Sequence, residues 1–208
     1  MPALTERPVP VRHAERLRRF TAAERWVHRA TAALMGIMLL TAACLYVPYL
    51  AELVGRRSLL VTLHEWAGIA LPAPLLAGLV SRAFRADLGR LNRFGPQDRG
   101  WVRAALRGHH RSSGKFNAGQ KLYAALVAGA ALVMIGTGLI LWFPSLVPLL
   151  WRTGATFVHD WIALLIGVLV IGHVWMAARD PEARRGLRTG HVSRAWARRE
   201  HPLWEEES

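Results

Sequence analysis

Cysteine is nearly absent from the chain: Cys44 is the single one in 208 residues. No intrachain disulfide and no four-cysteine zinc or iron–sulfur site can be built from this chain alone, so any redox chemistry must rest on another ligand type. Acid is scarce too, 14 Asp and Glu against 27 Lys and Arg, which gives a formal charge of +13. Charge of either sign is missing from residues 30–51 and again from 122–151. A soluble amphipathic helix breaks such a run every few residues, and a disordered basic protein has no such run. The basic excess flanks the apolar blocks, where membrane topology places it, and nucleic acid is not expected as a partner. The chain reads as an all-α integral membrane protein whose surroundings are membrane lipid.

Four spans are legible. Residues 30–51 hold no charge and are 22 long, which at about 1.5 Å per residue crosses a hydrocarbon core of about 30 Å. Residues 58–81 form the second, with His64 and Glu65 near its start. The third is expected over 120–143, ended by Pro144 and Pro148. The fourth is expected over 156–178, with Arg179, Asp180 and Pro181 as its stop. Residues 1–29 contain seven arginines and no apolar segment, which predicts a basic tail and not a cleavable signal peptide. A transmembrane domain 30–178 with a middle loop 82–119 is then followed by a second tail, 179–208. All the Lys and Arg except Arg56, Arg57 and Arg152 lie in the tails and the middle loop or, for Lys121, directly after that loop. That bias predicts a cytoplasmic loop and both termini cytoplasmic. Trp26, Trp66, Trp101, Trp142, Trp151 and Trp161 fall near span ends, as interfacial belts do.

Of nine histidines, His28, His64, His159 and His173 lie within or at the rim of the spans, where ionisable groups are costly without a function. His28 starts span one and lies at the inner face. His64 and His159 start spans two and four and share an outer depth. His173 follows His159 by 14 residues, about 21 Å and close to four turns, so both project from nearly the same face of span four. The depths pair His64 with His159 and His28 with His173. Two bis-histidine haems stacked across the bilayer have that arrangement, and iron with two axial imidazoles passes electrons without binding oxygen. Zinc or copper want three or four ligands at one depth. Taken singly, each histidine reads better as an interfacial or interhelical hydrogen-bonding residue; four at two matched depths reverse that preference. Gly36, Gly68, Gly78, Gly136, Gly138, Gly167 and Gly172 offer room for macrocycles between helices. Glu65 and Asp160 read as helix-start charges, and His13, His109, His110, His191 and His201 as solvated residues of basic segments. A small transporter or a purely structural anchor needs no matched histidine pairs.

The segment GKFNAGQK, Gly114 to Lys121, resembles the hallmark of the cytochrome b (gamma) subunit of membrane-bound formate dehydrogenases, bacterial di-haem cytochromes. FTAAERWVHR around His28, LHEWAG around His64, FVHDWIA around His159, IGHVWMA around His173 and the tail VSRAWARREHPLW agree in order. The resemblance implies an anchor subunit in the bacterial inner membrane with two haem b groups. It also implies an iron–sulfur (beta) subunit and a catalytic (alpha) subunit with molybdenum or tungsten as partners, and menaquinone or ubiquinone as acceptor. It implies a quinone site at Asn117, Gly119 and Gln120 beside His173, where the amides can donate hydrogen bonds at the membrane rim. Asn117 is also a natural helix N-cap. Substrate oxidation is not expected of this chain alone. Cytochrome b subunits of nickel–iron hydrogenases and thiosulfate reductases share the four-helix plan and form the alternative.

Overall fold

The computed structural model describes residues 16–109 and 113–206, with the last two of these described by backbone alone. His13 and His110 lie outside the described residues. A short strand β1 (Arg16–Arg18) leads into α1 (Ala22–Tyr46). The helix begins eight residues before the apolar run because a capping box sets its start: Thr21 Oγ1 accepts from the Glu24 N–H at 3.3 Å, and the Glu24 carboxylate accepts from the Thr21 N–H at 2.6 Å. It stops ahead of Pro48, which opens a separate short helix α2 (Pro48–Val54) closed by Gly55 at φ 64°.

The second span is α3 (Arg57–Ala70) continued by α4 (Pro72–Gly78), with the joint at Pro72, which has no N–H to give. The middle loop is not bare chain. It holds α5 (Arg82–Leu91) and α6 (Pro96–Leu106). Then come α7 (Ala118–Trp142), a 3-10 turn at Pro144–Leu146, and α8 (Leu149–Arg179), which starts at Pro148 and passes Arg152 without a break. Hydropathy marks the part of a helix inside the hydrocarbon, while caps and prolines mark the helix. Asp180 ends α8 and caps α9 (Pro181–Thr189), accepting from the Glu182 and Ala183 N–H groups at 3.1 and 2.9 Å. Strand β2 (His191–Ser193), α10 (Arg194–Glu200) and α11 (Pro202–Glu206) complete the described chain.

Four helices are long and apolar enough to cross a membrane: Ala22–Tyr46, Arg57–Gly78, Ala118–Trp142 and Leu149–Arg179. The fold is all-α in its membrane part, as the apolar blocks imply. α1 packs along α3 and α4, α7 packs along α8, and contacts of α3 with α7 and of α1 with α8 join the two hairpins. Ala130, Met134 and Ile166 form the buried centre, with Met35, Leu39, Ile162, Ala163 and Val170 against them. Large apolar residues such as Leu40, Leu132 and Ile171 point outward, as lipid-facing positions do.

Before the start of α1 and beyond the end of α8, β1 pairs antiparallel with β2, Leu17 opposite Val192. Val192, Trp196, Ala197 and Trp204 make a second small core there. Residues 16–20 and 180–204 thus fold together into a cap, and His201 belongs to it, contrary to its reading as a solvated residue. It is 3% exposed, and its Nδ1 lies 2.7 Å from the Gly114 carbonyl and 3.0 Å from Ser113 Oγ. Burial, and next the nearby Arg19 charge, push its imidazole down to about 4. His109 and His191 are exposed.

Candidate functional site

The helices bring the four membrane histidines together in two opposed pairs. The ring centres of His64 and His159 lie 6.2 Å apart with planes at 66°, and those of His28 and His173 6.3 Å apart with planes at 41°. An imidazole nitrogen about 2 Å from a metal puts its ring centre roughly 3 Å from that metal, so two imidazoles on opposite sides have centres roughly 6 Å apart. Both pairs have the separation a single six-coordinate iron needs between axial imidazoles. Among the described residues no group of three or more His, Cys, Asp or Glu converges on one point, which a zinc or copper site would require.

Three helices set the spacing between the pairs independently. On α8, His159, Ile162, Ala163, Ile166, Val170 and His173 follow one helix face, and the four between the histidines belong to the apolar centre. On α1, Thr41 touches His64 and lies 13 residues from His28; on α7, Thr137 touches His159 and lies 14 from Tyr123, which stacks on His173 at 4.8 Å. Each interval is about 20 Å of helix. A cleft at the outer pair is lined by His64, His159, Gly68, Gly138, Met134 and Trp142.

The glycines divide. A Cβ at Gly36, Gly136, Gly167 or Gly172 would meet nothing within 4 Å, and at Gly68 or Gly138 only ordinary contacts at 3.6 and 3.5 Å, so these positions leave room between helices. Gly78 differs from its expected role. A Cβ there would come within 2.8 Å of Val27 and 2.9 Å of Phe84, so it serves the close approach of α4 to α1 and α5 and gives no space to a macrocycle.

Asn117 and Gln120 form a reciprocal capping box at the start of α7: Asn117 Oδ1 accepts from the Gln120 N–H at 2.9 Å and Gln120 Oε1 accepts from the Asn117 N–H at 3.0 Å. Both carbonyl oxygens are used, and the NH2 groups are the ends that can donate to a ligand. A Cβ at Gly119 would meet the Trp101 ring at 3.1 Å. Asn117 precedes Tyr123 by six residues, about 9 Å along the axis, so the capped end of α7 lies just beyond the level of His173.

Beneath this end is a buried charge cluster that the sequence does not announce. Lys115 Nζ contacts Asp87 and lies 3.5 Å from Glu24 Oε1, while its carbonyl accepts from Arg19 Nη2 at 2.9 Å. Burial holds Asp87 up at about 6 and lowers Arg19 to about 10. Arg19 also lies over Trp196 at 4.7 Å and Trp204 at 5.6 Å. Thr41, Thr137 and Tyr123 were equally silent in the sequence; their only signal is that Tyr123 and Thr137 repeat the 14-residue interval of the α8 histidines.

Four membrane helices with two opposed imidazole pairs at two depths define a class, the b-type membrane cytochromes. The chain belongs to the prokaryotic cytochrome b561 family, which it matches over residues 19–189. It is 30% identical over 94 residues to the cytochrome b556(Fdn) subunit of the nitrate-inducible formate dehydrogenase of Escherichia coli strain K12, a stretch covering 44% of this chain and 43% of that protein. Over 198 residues it is 24% identical to the cytochrome b556(fdo) subunit of formate dehydrogenase from the same strain, covering 89% and 90% of the two chains. A formate dehydrogenase cytochrome b556 subunit of Haemophilus influenzae is 28% identical over 95 residues, 44% of this chain and 40% of that one. This chain thus spans less than half the length of the first and third relatives.

Proposed function

We propose that the chain is the di-haem cytochrome b subunit that anchors a formate dehydrogenase complex in the bacterial inner membrane and passes its electrons to quinone. The observation that carries this reading is the two imidazole pairs, 6.2 and 6.3 Å across, on one helical ladder. His64 and His159 hold the outer haem, His28 and His173 the inner one. Haem iron between two imidazoles takes up and gives back one electron at a time with no position open to oxygen. The apolar centre around Met134 and Ile166 keeps water from between the pairs. At the cytoplasmic end, the NH2 groups of Asn117 and Gln120 donate to a carbonyl of menaquinone or ubiquinone, and Gly119 lets Trp101 close over the turn that presents them. The relatives are named as subunits of formate dehydrogenase, which supports a complex with partner subunits; the resemblance of Gly114–Lys121 adds an iron–sulfur subunit and a catalytic subunit with molybdenum or tungsten.

Haem per chain tests the assignment. The wild-type chain should hold two haems, His64→Ala and His159→Ala should each lose the same spectral component, and His28→Ala should lose the other. A wild-type content of one haem, or His159→Ala behaving like His28→Ala, sinks it. Identifying the subunits that co-purify separates formate dehydrogenase from hydrogenase or thiosulfate reductase complexes.

A further inference from the structure

We infer that Thr41 and Thr137 are positioning residues of the outer haem site, which fix the proton of both ligands on Nδ1 and hold that haem at a lower reduction potential than bare imidazoles would. The inference rests on the ligand assignment just given. A threonine hydroxyl has one proton, and in both cases a carbonyl of its own helix lies within reach of it. Thr41 Oγ1 lies 2.7 Å from the Ile37 carbonyl and 3.0 Å from that of Met38; Thr137 Oγ1 lies 2.8 Å from the Val133 carbonyl and 3.3 Å from that of Met134. With that proton given to the helix carbonyl, each oxygen presents its lone pairs to His64 Nδ1 at 3.0 Å and His159 Nδ1 at 2.8 Å. Both imidazoles then carry hydrogen on Nδ1, the tautomer that leaves the Nε2 lone pair for a metal.

The arrangement occurs twice, on separate helices. In each hairpin the first span supplies the threonine and the second the histidine, 23 or 22 residues later, and each histidine is followed by an acid and a tryptophan, His64-Glu65-Trp66 and His159-Asp160-Trp161. Thr41 is 6% exposed, so water does not replace its hydroxyl. The inner pair is held in another way: Tyr123 stacks on the face of His173, with planes 12° apart. Among the described residues no hydroxyl sits on Nδ1 of His28 or His173.

A group that accepts from Nδ1–H makes the imidazole a stronger electron donor at Nε2, and the donation of each hydroxyl to a carbonyl reinforces it. Ferric iron carries one more positive charge than ferrous iron and gains more from that donation. With the effect confined to the outer pair, an electron at the outer haem is held less tightly and its transfer inward is favoured.

Redox titration of the purified full-length protein with Thr41→Val, Thr137→Val, the double variant and the two Thr→Ser variants tests this. Valine keeps the β-branch and removes the hydroxyl. Both haems should remain bound, and the outer potential should rise, in the double variant by about tenfold in the reduction equilibrium, ~59 mV for one electron. The inner haem should not move, and serine should restore the wild-type value. Two bound haems with an unshifted outer potential, or serine variants that behave like valine, overturn the inference. His64→Ala in the same titration keeps the two questions apart. If it fails to remove the outer component, the ligand assignment falls; if it removes it while the valine variants stay unshifted, only the role of the threonines falls.

Discussion

At the scale of single residues, the segment Gly114–Lys121 has a structural task at nearly every position. The Gly114 carbonyl meets His201, Lys115 reaches Glu24 and Asp87, Phe116 lies 6.5 Å from Phe20, Asn117 and Gln120 cap α7, Ala118 is fully buried, and Lys121 bonds Asp98 at 2.8 Å and the Arg93 carbonyl at 2.9 Å. Trp101, expected in an interfacial belt, covers Gly119. A motif of this kind is constrained twice, by the cap it builds and by the ligand it is proposed to meet, and Asn117 shows how to separate the two. Asn117→Asp keeps a good N-cap, with a charge favoured at a helix start, but has no NH2 to donate. We expect unchanged melting, both haems bound and reducible, and slowed reoxidation by quinone in rapid-mixing absorbance. Asn117→Ala should show the same slowing with a stability loss of about 1 kcal/mol. Wild-type reoxidation in Asn117→Asp would move the quinone site elsewhere.

At the scale of elements, the tie between α1, the middle loop and α5 is an ion cluster. Lys115 is 8% exposed, Glu24 8% and Asp87 5%, with Arg90 at 2.8 Å on the solvent side of Asp87. Removing one partner of a buried pair costs about 3–5 kcal/mol, because the remaining charges stay buried. Lys115→Met leaves two carboxylates facing each other and should lower the melting temperature of the detergent-solubilised protein at pH 7.5. Asp87 in the native fold sits near 6, above its ordinary 3.8. A raised carboxyl favours the fold while protonated and loses that contribution as pH rises through its folded value. The loss in Lys115→Met should therefore shrink at pH 5, where Asp87 takes a proton, and an equal loss at both pH values would show that Lys115 does not act by charge. Nothing in the sequence pointed to this cluster, because Glu24 and Lys115 are 91 residues apart and each sits in a segment that is basic overall. For the same reason His201 looked solvated: a basic, polar stretch gives no sign that two tails will fold over each other.

At the scale of the whole molecule, what was legible is what repeats along a helix. The uncharged runs locate four spans, and the 14-residue interval between His159 and His173 puts two proposed ligands on one face of α8, since it is nearly a whole number of turns. Helix ends were not legible from hydropathy: Thr21 and Pro148 start α1 and α8 ahead of the spans expected over 30–51 and 156–178. Nor were the hydroxyls of Thr41 and Thr137, which matter only once a second helix is beside them. The direction of electron flow depends on which end faces the cytoplasm. His28, His173, the capped start of α7 and the folded tails share one end, and that end carries the arginine-rich segments, while Arg56, Arg57 and Arg152 are the only basic residues in the connections at the other. The positive-inside bias predicts that the first end faces the cytoplasm; on the proposed reading electrons would then enter outside at His64 and His159 and quinone would draw its protons from within. Alkaline phosphatase fused after Ser208 should be inactive, and green fluorescent protein at the same position should fluoresce. Phosphatase fused after Arg57 should be active. An active phosphatase at the carboxyl terminus would reverse the electron path and place quinone reduction on the outer face.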